Sequence, residues 1–339
     1  MEILNSSPFQ AAPAAVADLD GADYLVLLLK ATYTLDGQGG MAPSETQRPV
    51  ELADTFVGDP GTSSLTYASD LSMGKASTDV ILVGSAYPSR AGDRESEVGI
   101  QVGSARATLR VFGDREWQSA LGVTRMSRPA PFECIPLQYE RAAGGTDTTP
   151  SAERDHAFEP RNPVGVGFRA SRSRRVVDAS RLPNFERPDE LIRTPDDRPA
   201  PAPVGFVAPG WTPRADYAGT YDDAWANTRS PLLPSDFDPK FFDVAPPGLS
   251  VPGRLNGNEH GAAMGVSPYG LLRFTLPGLQ PSAEAAGRSL GRCPVELALD
   301  RVVVDGDAGL HGEVVLVWSG GLRVPHGFHD LEALSLSLN

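Results

Sequence analysis

The sequence predicts a mainly β protein: a β-sandwich-like scaffold with long irregular loops and few short helices. Three observations carry that expectation. Short segments rich in β-branched and aromatic residues recur along the chain, each bounded by Gly, Pro, Asp or Ser. The 339 residues include 35 glycines and 31 prolines, enough to end most helices and strands early. Helical patterning is confined to Asp330–Leu338 and Tyr221–Asn227. The length allows one domain over 1–339, or two lobes, 1–145 and 204–339, joined by a loop-rich segment 146–203. No repeat of solenoid or propeller period is present.

In chain order, Tyr24–Leu35 (YLVLLLKATYTL) begins as a continuous apolar run and turns β-branched, as a strand does when it is buried first on both faces and then on one. Asp79–Ala86, Glu97–Val102, Ala105–Phe112 and Phe132–Tyr139 follow as strands. Gly103-Ser104 between the second and third of these predicts a two-residue hairpin turn. Strand patterning fades from Thr146 to Pro203, where charge, proline and turn formers dominate. Within that stretch Arg169, Arg172, Arg174, Arg175 and Arg181 form a basic run, read either as solvated loop charge or as a dock for an acidic partner segment. Strands return at Leu271–Leu276, Val295–Val304 and Glu313–Trp318, with a hairpin loop at Asp305–Gly309.

Charge excludes one large class of partner. Thirty Lys and Arg stand against 43 Asp and Glu, a net charge of −13, which repels phosphate backbones and removes the main driving force for nucleic-acid binding. Cys134 and Cys293 lie far apart without a CxxC spacing and are expected to be buried free thiols. The first ten residues lack a basic start and an apolar run, and Tyr24–Leu29 is too short to cross a bilayer. A cytoplasmic protein without a membrane partner is the expectation.

A search for chemistry finds little. The five histidines form no HExxH or HxH, and only His326, His329 and Asp330 cluster, behind a helix-breaking Pro325. No GxSxG elbow or P-loop occurs, and Gly165-Val166-Gly167 follows the turn signature Asn162-Pro163 rather than a strand. Neither a catalytic residue, a metal site nor a cofactor is assigned. Asp222, Asp223, Asp236 and Asp238 could supply the acid–base pair of a glycosidase, but Asp236 and Asp238, flanking Phe237 between two prolines, are expected as turn caps more than as catalysts. In Gly113-Asp114-Arg115-Glu116-Trp117 two readings stand: a corner fixed by buried charge-assisted bonds of Asp114 and Arg115 beneath Trp117, or an exposed Arg–Trp anchor for a partner. Trp211, Tyr217, Tyr221 and Trp225 form a second aromatic group, open between core and groove lining.

The order of short strings carries more than any one of them. Asn5, Pro8 and Phe9 are followed by Lys30-Ala31-Thr32-Tyr33, Thr78-Asp79-Val80, GDREW, Glu140-Arg141 with Gly144-Gly145, Asn162-Pro163 with Gly165 and Gly167, Leu182-Pro183-Asn184, Gly219-Thr220-Tyr221, Trp225, Asp236-Phe237 and Ala245-Pro246-Pro247. This succession resembles a bacterial family of unknown-function domains encoded in type VI secretion gene clusters, whose members act as effector adaptors or chaperones. Met73-Gly74 before Lys75 and the tract Val251–Ala263 depart from the pattern. The resemblance implies a non-enzymatic adaptor that binds a secreted effector and helps load it onto a spike protein, as a monomer within a hetero-complex. Arg115, Trp117, Trp211, Tyr221 and Trp225 are the partner-binding candidates, because Trp, Tyr and Arg dominate binding hot spots. Asp114, Arg141, Asn162, Gly165, Gly167, Asn184 and Asp236 are the structural motif positions. A hydrolase acting on carbohydrate or cell wall through carboxylates among Asp114, Asp222 and Asp236, or a carbohydrate-binding β-sandwich, is the alternative.

Overall fold

The computed structural model describes residues 1–121, 123–150, 152–170 and 179–338. Arg172, Arg174 and Arg175 of the basic run lie outside the described residues. The chain is mainly β, and its larger sheets close into no barrel. A central seven-stranded sheet has the order Ser250–Pro252, Ser77–Val83, Ala298–Asp305, Glu313–Arg323, Asp23–Leu35 and Gln10–Ala17, with Met41–Pro43 also pairing to Asp23–Leu35. A five-stranded sheet runs Phe185–Glu186, Ala105–Phe112, Glu95–Val102, His260–Met264 and Leu272–Thr275. A four-stranded sheet runs Glu2–Asn5, Leu331–Leu338, Pro281–Gly287 and Gly291–Glu296. One hydrophobic core takes side chains from all three.

Local sequence explains most of these elements. Leu25–Leu29 are all buried, as the continuous apolar run requires of a strand covered on both faces. The hairpin at Gly103-Ser104 forms as expected, pairing Val102 with Ala105, and Gly103 takes φ +56°. Asp223–Thr228 is helical, overlapping the expected stretch Tyr221–Asn227.

Four expectations change. Asp330–Leu338 is a strand from Leu331, not a helix: Leu334, Leu336 and Leu338 alternate with Ser335 and Ser337, and that period of two matches the ladder formed with Pro281–Gly287. Phe132–Tyr139 yields only the two-residue strand Ile135–Pro136, because Pro136 has no N–H for a ladder, and a 3-10 turn begins at Tyr139. The run Val295–Val304 belongs to two sheets. Gly291–Glu296 sits in the four-stranded sheet and Ala298–Asp305 in the central one, so the chain changes sheet at Leu297. Cys134 and Cys293 are both free thiols, but Cys134 is exposed and Cys293 half-buried rather than buried.

The central sheet carries a rung of charge through its buried interior. Lys30 pairs in register with Val317, Val317 with Arg301, and Arg301 with Asp79, which places these side chains on one face. Asp70, arriving from a loop, bonds Lys30 at 2.9 Å and Arg301 at 3.0 Å, and Tyr67 donates to it at 3.1 Å. Lys75 closes on Asp79 at 2.7 Å. Burial pulls the Lys30 ammonium below its ordinary range, and Asp70 opposes that shift. Such pairs are costly to assemble and costlier to break.

Candidate functional site

Six of the seven motif positions, from four distant stretches, meet in one knot at the end of the five-stranded sheet, while Asp236 caps Thr220 elsewhere. Strand Ala105–Phe112 delivers Asp114 and Arg115 past Gly113. Asn184 Nδ2 donates to Phe112 O at 2.9 Å and to Asp114 Oδ1 at 3.0 Å. Arg141 Nη1 donates to Asn184 Oδ1 at 3.2 Å and to Asp114 Oδ1 at 3.3 Å. The Asn184 hydrogen bond first, then Arg141 and Arg181, hold the Asp114 carboxyl below the usual carboxylate range. A carboxylate so held suits an anchor and opposes the role of a general acid.

Arg115 turns the other way. It is 5% exposed, donates to Pro183 O at 3.0 Å, ion-pairs with Glu186 and lies over the Phe112 ring at 3.8 Å. Burial raises the Glu186 carboxyl despite Arg115 beside it. Of the two readings of GDREW, Arg115 therefore occupies the corner, and a buried, paired guanidinium offers no contact to a partner. Asp114, by contrast, is on the surface.

Asn162 and Gly165 lock the next layer. Asn162 Nδ2 donates to Tyr139 O and Ala143 O, each at 2.9 Å, and its side chain lies so close to Gly165 that a Cβ there would sit 2.4 Å from Nδ2. Only glycine fits that approach. Ala143–Gly144 then pairs in parallel with Val166–Gly167.

The partner-binding candidates separate. Trp211 is 6% exposed and packs edge-on against Tyr139 at 4.9 Å between ring centroids, so it belongs to the core. Tyr221, 54% exposed, stacks edge-on with Trp225 at 4.7 Å on the helix Asp223–Thr228, which has no buried residue. Trp225 Nε1 donates to Leu232 O at 2.8 Å. The carboxylates around them are caps: Asp222 accepts from Trp225 N, Asp236 from Thr220 N and Oγ1, and Asp238 from Lys240 N. Asp330 likewise accepts from Ser289 N and Leu290 N. Among the described residues no group of three or more His, Cys, Asp or Glu could hold a metal ion.

Trp117 opens the strand Trp117–Ala120 of a hairpin whose other strand is Val123–Met126. Its backbone is stitched to the returning chain: Trp117 N donates to Ser180 O at 2.9 Å and Ala179 N to Trp117 O at 2.8 Å. The indole is 7% exposed and lies at the base of a groove. Two cavities of about 270 and 130 Å³ share Trp117, Val166, Gly167, Phe168 and Arg169 as walls. Arg181 lines the larger cavity; Leu182, Ile192, Arg161 and Arg198 line the smaller. Neither is lined by Tyr221 or Trp225, so the two aromatic loops serve separate places. Sequence reasoning marked Trp117 and the knot beneath it but missed the apolar wall of Val166 and Phe168 and the anchor Glu186. Glu186 lies 71 residues from Arg115, and nothing local to either signals the pair.

Among the described residues no helix is long and apolar enough to cross a membrane. No curated protein and no solved structure matches the chain. A family model matches residues 20–319, which contain the whole knot and groove, and the chain belongs to that family, the uncharacterized proteins conserved in bacteria designated DUF2169.

Proposed function

We propose that this protein is a non-enzymatic adaptor or chaperone that binds a type VI secretion effector in the cytoplasm and helps load it onto the secretion spike. The groove beside Trp117 carries the reading. It combines a nearly closed aromatic base, an apolar wall and an arginine rim, the mixture from which protein–protein anchors are built. The knot beneath it holds these side chains on a rigid support, so little ordering entropy is lost on docking. The Tyr221–Trp225 helix, which lines neither cavity, offers a second contact for the spike component.

Co-expression with the products of neighbouring genes, followed by size-exclusion chromatography, tests this. A stoichiometric complex with a toxin-like product, joined by a spike protein, is expected. Separate elution of all components contradicts the proposal, as does turnover of a sugar or peptide that disappears when one acidic side chain is neutralised.

A further inference from the structure

Arg169 is the unexplained charge in the groove. Its Nε and Nη1 are closed off from solvent and have no hydrogen-bond partner among the described residues. A guanidinium in that position forgoes bonds to water without receiving any from the protein, a cost that folding alone does not require. It lines both cavities, so the missing acceptor has room to enter.

The nearby acids are already engaged. Asp147 accepts from Thr149 N at 3.1 Å and from Ala170 N at 3.0 Å. Glu159 is held by Arg161 at 2.6 and 2.9 Å, and Asp197 accepts from Arg193 N at 2.8 Å and Thr194 N at 2.7 Å. Arg181, which also lines the larger cavity, is mostly exposed and among the described residues approaches a carboxylate only at Asp114, at 3.7 Å. A molecule of net charge −13 thus keeps two under-used guanidinium groups facing an apolar wall.

We infer that the groove takes an extended acidic segment of the partner polypeptide, with a carboxylate seated on Arg169 and a neighbouring large apolar side chain against Trp117, Val166 and Phe168. The inference rests on the polypeptide-binding reading and adds the chemistry of the bound segment. A planar guanidinium favours a carboxylate, which it can meet with two parallel bonds. The general negative charge repels acidic chains elsewhere, so the groove is selective by position.

The test uses the full chain and two sets of fluorescein-labelled octapeptides that alternate Leu or Phe with Asp or Glu, or with Asn or Gln, read by fluorescence anisotropy. The acidic set is expected to bind, with the amide set weaker by roughly tenfold to a hundredfold, the ratio of one charge-assisted bond. Arg169→Gln, checked for an unchanged thermal midpoint, should erase that preference, and Arg181→Gln should reduce it. Arg169→Glu should switch the preference to peptides carrying Lys in place of Asp and Glu, a reversal that a merely structural role would not produce. Equal binding of acidic and amide sets, unaffected by Arg169→Gln, overturns the inference and leaves polypeptide binding standing. Tighter binding of a single-stranded oligonucleotide than of the acidic peptides also overturns it. Binding of neither peptide set, together with failure to form a complex on co-expression, overturns both.

Discussion

The central sheet and the Trp117 groove both contain buried or half-buried charge, but they use it differently. In the sheet each of Lys30, Lys75 and Arg301 has a carboxylate within 3.0 Å, and Asp70 serves two of them. In the groove two shielded nitrogens of Arg169 have no acceptor among the described residues, while Arg115 in the knot, although its Nε is also unpartnered, is ion-paired with Glu186 and donates to a carbonyl. Paired charge fixes register and support; an unpaired one leaves an interaction to be completed. The contrast teaches that neither burial nor residue type marks function here. Satisfaction does.

The largest effect is expected in the sheet. Asp70→Ala leaves Lys30 and Arg301 buried without their shared counter-charge and should lower unfolding free energy by about 3–5 kcal/mol, read from the denaturant midpoint at constant m-value. A loss below about 1 kcal/mol would erase the distinction between the two regions.

Next comes the knot. Gly165→Ala should cost about 1–3 kcal/mol, since its Cβ would meet both Asn162 Nδ2 at 2.4 Å and Ala142 O at 2.7 Å. Gly167→Ala has space around it, with the nearest atom at 3.6 Å, and should lose only the cost of placing alanine at φ +86°, about 1 kcal/mol. Thermal midpoints of the two variants compare them directly.

Asp114 should give a smaller, pH-dependent effect. Its folded carboxyl titrates below the ordinary 3.8, so between those values the native state binds fewer protons than the unfolded chain. The stability it adds is fully present above about pH 4 and is lost as pH falls through the folded value. Because the side chain is 63% exposed, solvent screening keeps that contribution below about 1 kcal/mol. The difference between wild type and Asp114→Asn should therefore be measurable at neutral pH and close towards zero in acid; a gap that widens in acid contradicts the assignment.

Arg169→Gln should change stability least, by no more than about 0.5 kcal/mol, because its Nε and Nη1 have no partner among the described residues. A loss comparable to that of Asp70→Ala would make Arg169 part of the scaffold.

Much of this division was legible in the sequence, for physical reasons. The run Tyr24–Leu35 could only be a strand buried on two faces, and Gly103-Ser104 could only be a tight turn between the strands around it. The positions of the knot were visible as residues, but their meeting was not: Asp114, Arg141 and Asn184 are joined by contacts 27 to 70 residues apart, which no local pattern encodes. The same limit hid Glu186 and left Arg115 open between corner and anchor. The C-terminal stretch misled because Leu-Glu-Ala-Leu begins like a helix, and the serine–leucine alternation that follows decides the strand only once a partner ladder exists. Arg169 was visible as a member of a basic run, yet its lack of an acceptor is a property of the fold alone.

The most direct test is hydrogen exchange on the full chain, alone and in complex with the co-expressed partner that size exclusion identifies. Slowed exchange confined to 146–149, 166–169 and 180–181, the backbone lining the larger cavity, is the result predicted for a polypeptide seated beside Trp117. Protection centred on another surface, with these segments unchanged, would contradict it.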